Sequence, residues 1–307
     1  MSHHRTVTVI GSSNADLAVS MDRLPGPGET VLARSFVTSP GGKGANQALA
    51  ARLAGAETEF VGAVGRDPHA EVALGMLAEA GVDLSRVRRV DEPTGIALIS
   101  IDAAGENSIA VVPGANATVT ADVVGGLGEV RGVVVLQGEI PAAAVERAAA
   151  AAERVVLNLA PVIAVDPDVI RAADPLVVNE HEAALVLEQF GSDAPEAPED
   201  AARALLGHGV RSVVITLGAA GSLVAEHMTT TANDDGARLS TVAAVRADAV
   251  DTTGAGDAYT GALAARLAAG DELVAAAGFA ARFSAASVAK PGAQASYPRT
   301  LDELPGA

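Results

Sequence analysis

The 307-residue chain contains no cysteine and no tryptophan. Without thiols it can form neither disulfides nor thiolate metal centres, which suits a reducing compartment. Aromatic residues make up only 2% of it, so its core must be filled by closely packed aliphatic side chains, and the 49% hydrophobic content supplies them. Basic residues are scarce too: 21 Lys and Arg stand against 38 Asp and Glu, a formal charge of -17, and no basic block interrupts the acidic background. Such a surface excludes nucleic acid as an expected partner. The same charge repels a polyphosphate, so any nucleotide site needs local positive potential from helix ends, backbone amides, a metal or a few placed cations. No apolar run reaches the roughly 18 residues of a membrane span. The lead from Met1 to Arg5 passes straight into a strand-like stretch and is too short for a signal region, so a soluble, cytoplasmic protein with no membrane partner is expected.

Short β-branched runs at 6–10, 59–64, 132–137, 154–159, 175–178 and 212–217 read as strands. Ala-rich stretches at 44–53, 70–80, 142–152 and 180–189 read as helices between them. This alternation predicts an α/β fold: a doubly wound, mainly parallel sheet with helices on both faces. Two segments break the pattern. Residues 17–38, turned at Pro25-Gly26-Pro27-Gly28, and residues 95–113, turned at Ala104-Gly105-Glu106-Asn107, read as extended pairs. Both are expected to leave the main sheet and form a small β-sheet lid within a single domain spanning 1–307. Residues 192–199 read as a surface loop.

The strongest local signal is Asp251-Thr252-Thr253-Gly254-Ala255-Gly256-Asp257-Ala258, which runs into a helical pattern at 259–269. A Gly-Ala-Gly turn opening a helix leaves backbone N–H groups unpaired at the positive end of the macrodipole, where phosphate charge is stabilised. Asp257 alone could be an ordinary acidic residue of a first helical turn. The glycines cost stability and favour a close-approaching ligand. A second signal, Gly41-Gly42-Lys43-Gly44-Ala45-Asn46-Gln47-Ala48, also enters an apolar helix. It is not a P-loop, because Gly44 stands where Ser or Thr should hold magnesium and no strand directly precedes it. In Gly11-Ser12-Ser13-Asn14-Ala15-Asp16 the dinucleotide fingerprint is missing and no helix is expected to follow. A carboxylate and an amide two residues apart instead suit vicinal hydroxyls, with Asp16 accepting and Asn14 able to do both. Glu139 ends a strand at the ligand edge of an α/β sheet, although a solvated strand-end carboxylate is the alternative. Lys43 and Lys290 are the two lysines among 21 basic residues, and both lie in glycine-bearing loops. Either a planar guanidinium does not fit there or the coincidence is chance.

Taken in this order, the motifs resemble those of the PfkB-like family of sugar and nucleoside kinases, over nearly the whole chain. Further matching stretches are Pro27-Gly28-Glu29-Thr30, Thr94-Gly95, Gly114-Ala115-Asn116, Asn179-Glu180-His181-Glu182-Ala183 and Gly292-Ala293-Gln294-Ala295-Ser296. Asn14 with Asp16, together with the Gly-Gly-Lys-Gly-Ala-Asn-Gln run, is similar to the ribokinase branch. The resemblance implies ATP-dependent phosphorylation of the primary hydroxyl of D-ribose, with Mg2+ accompanying ATP. It implies that Asn14, Asp16, Gly42, Lys43, Gly44, Asn46 and Glu139 hold the sugar and that Asp257 is the general base. Gly254, Ala255 and Gly256 would form the anion hole. Asn179 and Glu182 would organise magnesium and phosphates, Glu182 indirectly, and Thr216, Leu217, Gly218, Ala219, Ala220 and Gly221 would border the nucleotide. Asp251, Thr253, Ser287, Lys290, Gly292 and Ser296 match positions that bind K+, several through carbonyls. A homodimer through the lid is also implied. Two departures from the family pattern are Leu159, where Pro is frequent, and Ala281, near a position frequently polar beside adenine. The alternatives are a kinase for another furanose or a nucleoside, and a non-catalytic sugar sensor. A sensor should have lost Asp257 or the cradle glycines, and all are present.

Overall fold

The computed structural model describes residues 6–306 apart from 129, 131 and 229–235. The lead at 1–5, on which the reading of the N-terminus rests, lies outside the described residues. Along the chain run β1 (Thr6–Ile10), β2 (Asn14–Met21), β3 (Ala33–Gly41), α1 (Lys43–Leu53), β4 (Glu57–Val64), α2 (Pro68–Ala80), β5 (Val87–Arg89), β6 (Gly95–Ile101) and β7 (Asn107–Val112). There follow α3 (Ala121–Gly125), β8 (Val133–Gln137), α4 (Ala142–Ala151), β9 (Arg154–Asn158), α5 (Pro167–Ala172), β10 (Ala173–Asn179), α6 (Glu180–Gln189) and α7 (Pro198–Gly207). The last elements are β11 (Ser212–Thr216), β12 (Ser222–His227), β13 (Ala237–Val242), α8 (Ala255–Ala268) and α9 (Leu273–Ser287).

Nine strands form one sheet in the order β13-β12-β11-β10-β9-β8-β1-β4-β5. The pairings from β5 through β11 are parallel, and only β12 and β13 pair antiparallel. Strand β8 is buried at every residue, Val-Val-Val-Leu-Gln, an unbroken run rather than an alternation. That is the pattern of a strand covered by helices on both faces. Its residues divide between two cores: Val135 packs with Leu49, Leu263 and Phe283, whereas Val134 and Leu136 pack with Val145, Ile170, Val186 and Leu205. The fold is therefore α/β, doubly wound and mainly parallel.

A second sheet, ordered β3-β2-β6-β7, stands off one end of the first. Strand β2 begins three residues beyond β1, so the chain passes from the main sheet directly into the small one. This differs from the boundary at residue 17: Asn14 and Asp16 already belong to β2, paired across from Gly41 and Ser39. The 192–199 loop is likewise shorter than expected, because Pro198 opens α7 at a position where its missing N–H costs nothing. Elements with weak local patterns, among them β12, β13 and α9, complete the layers.

Helices α1 and α8 lie against each other with little space between them. A Cβ added to Gly261 of α8 would sit 2.3 Å from the carbonyl oxygen of Gln47 in α1. Because that neighbour is backbone, Gly261→Ala must push the helices apart and is expected to cost about 1–3 kcal/mol by overpacking. The loss should appear as a lower urea midpoint at unchanged slope; an unchanged midpoint would show that the crossing has room to spare.

Candidate functional site

The C-terminal ends of β9, β10 and β11 and the N-termini of α1, α6 and α8 enclose one cleft, lined by Lys43, Asn158, Asn179, Glu182, Thr216, Gly256 and Asp257 among others. A neighbouring cavity under the small sheet is lined by Asn14, Asn116, Glu139 and apolar groups such as Val111 and Ile140. In doubly wound sheets, ligands bind at this edge.

Two of the three helix N-termini at the cleft, those of α1 and α8, are shaped by glycine. Gly254 caps α8 with a left-handed φ of 74°, and no side chain caps this helix. The Ala255 N–H closes a turn on the carbonyl of Thr252, at 3.1 Å. The first-turn N–H groups beyond it have no intrahelical partner and point their positive end at the cleft. Around Gly256 there is open space: a Cβ there would meet nothing within 4 Å. Gly42 caps α1 with φ 87° and again no side-chain cap. Here the glycine also permits close approach, since its Cβ would lie 2.7 Å from Ser13 Cα. Gly44 is buried, and a Cβ on it would strike Ser12 N at 2.6 Å, so it seats α1 against the turn after β1.

Asp257 lies in the first turn of α8 and is buried. Its Oδ2 accepts from Asn46 Nδ2 at 2.9 Å and its Oδ1 from Gln47 Nε2 at 2.8 Å. Lys43 faces it, and the Asp257 carboxylate pushes the ammonium's pKa up against the opposing effect of burial, with Glu139 and Glu182 adding to the rise. Glu139 Oε2 accepts from the Lys43 N–H at 2.9 Å and from the Ser12 hydroxyl. Asn14 Oδ1 accepts from Asn116 Nδ2 at 2.8 Å, which leaves the Asn14 amide nitrogen for another acceptor. Asp16 Oδ1 is buried without a hydrogen-bond partner. Burial, then the charges of Glu139 and Asp257, push the Asp16 carboxyl up to about 7. An unpartnered buried acceptor beside an amide and two further carboxylates can receive hydroxyl groups, and the α8 terminus next to it can receive an anion.

The remaining sites expected from the sequence are placed as follows. Asn179 and Glu182 form the capping box of α6: Asn179 Oδ1 accepts from the Glu182 N–H at 2.8 Å, and Glu182 Oε2 accepts from the Asn179 N–H at 2.9 Å. One oxygen of Glu182 is thus committed to the helix. Thr216 lines the cleft, and Leu217 to Gly221 form a turn closed by the Leu217 N–H on the Gly221 carbonyl at 2.8 Å. Gly218, Ala219 and Ala220 within it are exposed. Asp251 joins two loops by accepting from the N–H groups of Thr253 at 2.9 Å and Gly292 at 2.8 Å. Burial acts against it, but these donors and the Thr253 hydroxyl hold its carboxyl below the usual range. The hydroxyls of Ser287 and Ser296 each donate at 2.8 Å to carbonyls of their own segments, those of Ser284 and Ala293. Lys290 departs from the idea of a spot too tight for guanidinium. Its side chain is exposed and pairs with Glu303 at 3.2 Å, where Arg could serve equally, so only its main chain can face Asp251. Leu159 is fully buried and serves packing.

Several polar groups around the cleft have no role assigned from the sequence. Gln47 and Asn116 fall within the motifs at 41–48 and 114–116, and Asn116 reaches Asn14 from beyond β7. Gln137 and Asn158 end neighbouring apolar strands, and a polar residue terminating an apolar strand is their local hint.

A sequence model of the pfkB family carbohydrate kinases matches residues 4–300. The chain belongs to the pfkB family of carbohydrate kinases. It is similar to the ribokinase of Schizosaccharomyces pombe, at 38% identity over 312 residues and 96% of each chain. Among solved structures, the ribokinase of Thermotoga maritima superposes with a TM-score of 0.86 at 32% identity, covering 97% of both chains. The Arabidopsis thaliana ribokinase complexed with ribose and ATP superposes at 0.82 with 31% identity and 99% coverage of both. The conserved architecture of this pfkB family member is thus accompanied by sequence similarity along its full length.

The raised Asp16 pKa makes the stability of this kinase depend on pH. A carboxyl at about 7 folded and about 3.8 unfolded holds one more proton in the folded state between those values. Its stabilising contribution is complete below pH 4 and is lost as pH rises through 7. Asp16→Asn should therefore gain about 2 kcal/mol relative to the parent between pH 5 and pH 8, read from urea titrations. An identical difference at both pH values would refute the assignment.

Proposed function

We propose that this carbohydrate kinase transfers the γ-phosphate of ATP to the primary hydroxyl of D-ribose, giving ribose 5-phosphate and ADP. The observation that carries the proposal is the buried Asp257 carboxylate, held by two amides, between the uncapped N-terminus of α8 and the hydroxyl-accepting group at Asp16. Full-length similarity to ribokinases, one of them solved with ribose and ATP, supports it.

In this reading Asn14, Asp16, Gly42, Lys43, Gly44, Asn46 and Glu139 bind and orient the sugar, directly or through the backbone. Asp257 takes the proton of the primary hydroxyl, a contribution of about 10²–10⁴-fold for a positioned base. The hydroxyl oxygen then bonds to the γ-phosphorus while the bond to the bridging oxygen of ADP breaks. The N–H groups of Gly254 and Gly256 and the Lys43 ammonium face the charge on the transferring phosphoryl, where one such donor can be worth about 10²–10³ in rate, while the Ala255 N–H is held by the Thr252 carbonyl. Asn179, Glu182 and the 216–221 turn border the nucleotide. Mg2+ arriving with ATP would neutralise phosphate charge. In this reading that cation is held mainly by phosphates and water, with Glu182 of the cleft nearby. A potassium ion would add charge balance beside the α8 turn. The Asp251 carboxylate and carbonyls of the 287–296 segment would hold a monovalent cation, since the bond from the Gly292 N–H to Asp251 ties the two loops together. The small sheet would close over the sugar and keep out water. Among the described residues no helix is long and apolar enough to cross a membrane, and a cytoplasmic enzyme is part of the reading.

The test is a coupled ADP-release assay with ribose, 2-deoxyribose, fructose and a nucleoside, for the parent and for Asp257→Asn. Ribose should give the highest kcat/KM, because an acceptor built for a hydroxyl costs about 1–3 kcal/mol when that hydroxyl is missing. Asp257→Asn should lose at least about 10²-fold in turnover. Rates in potassium should exceed those in sodium or a bulky organic cation at equal ionic strength. A nucleoside outpacing ribose would move the assignment to nucleoside kinases; no turnover on any acceptor would leave a sugar-binding protein.

The same reading includes a homodimer through the small sheet. One face of that sheet exposes Phe36, Leu98 and Val112, large apolar side chains that a second copy would cover. Sedimentation should give twice the chain mass, falling to one chain for Phe36→Asp; a parent that sediments as a single chain would refute it.

A further inference from the structure

We propose that Gln47 is a positioning residue for phosphoryl transfer, whose side-chain amide fixes the direction of the Asp257 carboxylate. The inference rests on the reading of Asp257 as the base. Gln47 is fully buried in α1, and both ends of its side-chain amide are committed to protein groups, so it acts on substrate only through them. Its Nε2 donates to Asp257 Oδ1 at 2.8 Å and to Asn158 Oδ1 at 2.9 Å, and its Oε1 accepts from Gln137 Nε2 at 2.7 Å.

The orientation of this amide is determined from outside. Asn158 Nδ2 donates to the carbonyl of Val177 at 2.9 Å, which turns Asn158 Oδ1 toward Gln47. Reversing the Gln47 amide would set its oxygen against the oxygens of both Asn158 and Asp257 and its nitrogen against that of Gln137. The frame is kept at a cost, since Gln137 Oε1 is buried without a partner. It sits where a Cβ on Gly11 would be 2.0 Å away, so Gly11 is part of the same arrangement. Neighbouring ends of β8 and β9 and a carbonyl of β10 thus converge through one glutamine onto one carboxylate oxygen.

The other oxygen is held differently. Asn46 donates to Asp257 Oδ2 and is itself held by Gln294 Nε2 at 3.0 Å. Asn46 belongs to the proposed sugar set, so changing it disturbs sugar and base together. Besides the base, the Gln47 side chain bonds Asn158 and Gln137, neither of which belongs to the proposed sugar set. Its loss should leave sugar binding intact and misdirect the lone pair that accepts the hydroxyl proton, and a misplacement of about 1 Å can cost about 10²-fold in rate.

The experiment is a double-mutant cycle on the full chain with Gln47→Met and Asp257→Asn, measuring kcat, KM for ribose, ribose affinity without ATP by calorimetry, and melting temperature. Gln47→Met should lower kcat by about 10²-fold with KM and ribose affinity within about threefold of the parent. In the Asp257→Asn background the same substitution should cost no further turnover, because nothing remains to position. Gln47→Glu, equal in shape but with an acceptor where the donor was, should fail to restore kcat. Parent-like kcat in Gln47→Met, or an equal loss in both backgrounds, would overturn the inference while leaving the base reading intact. Parent-like turnover in Asp257→Asn alone would overturn the base reading itself. If Gln47→Met does not fold, Gln137→Met, one bond further out, carries the same cycle with a smaller loss expected.

Discussion

The rest of the structure depends on how a strongly acidic chain assembles carboxylates around a place meant for anions. Burial, and then the charges of Glu139 and Asp257, weigh on Asp16, as its raised carboxyl records. The offset is local. The Lys43 ammonium is held charged by Asp257 and its neighbours, and α8, opened by Gly254 without a side-chain cap, presents unpaired first-turn N–H groups to the same space. Partial charges on rigid backbone need no counter-ion of their own, so they supply positive potential where additional basic side chains would have to be desolvated.

Bringing the N-termini of α1 and α8 to one point constrains packing far from the site. Helices α1 and α8 must cross closely, which Gly261 allows, and the groups of α1 that meet it belong to Gln47, Ala50 and Ala51. The scarcity of aromatic residues follows the same logic. Small side chains let helices approach each other and the sheet, and the glycines at 42, 44 and 254 extend that closeness to the loops. Catalytic geometry and core composition are in this sense one constraint.

Much of the fold was legible because its signals are local. Strands β1, β8 and β11 are β-branched runs between breakers, and α6 begins at the capping box whose Asn-x-x-Glu spacing is plain in sequence. Boundaries failed where tertiary pairing extended an element: β4 starts at Glu57 because it pairs with Thr6 of β1, and β2 starts at Asn14 because Gly41 and Gly95 flank it. Strands β12 and β13 are edge pairings with half-polar sequences that local pattern does not separate from loop. For Lys290 the sequence left two readings open, because context along the chain cannot say whether a side chain points into a loop or out to Glu303.

By itself the sequence determined the chemistry available. It set the acidic background, the glycine runs that must leave backbone donors exposed, and single polar residues such as Asp16 and Asp257 whose spacing to those glycines is covalent. Only the tertiary structure decided which groups orient them. Gln47, Gln137, Asn158 and Gln294 come from four separate elements, and each is an ordinary amide until the parallel sheet brings its strand ends side by side. Hydrogen bonds between side chains remote in sequence leave no periodic trace along the chain. Their geometry exists only once the helices have closed on the sheet.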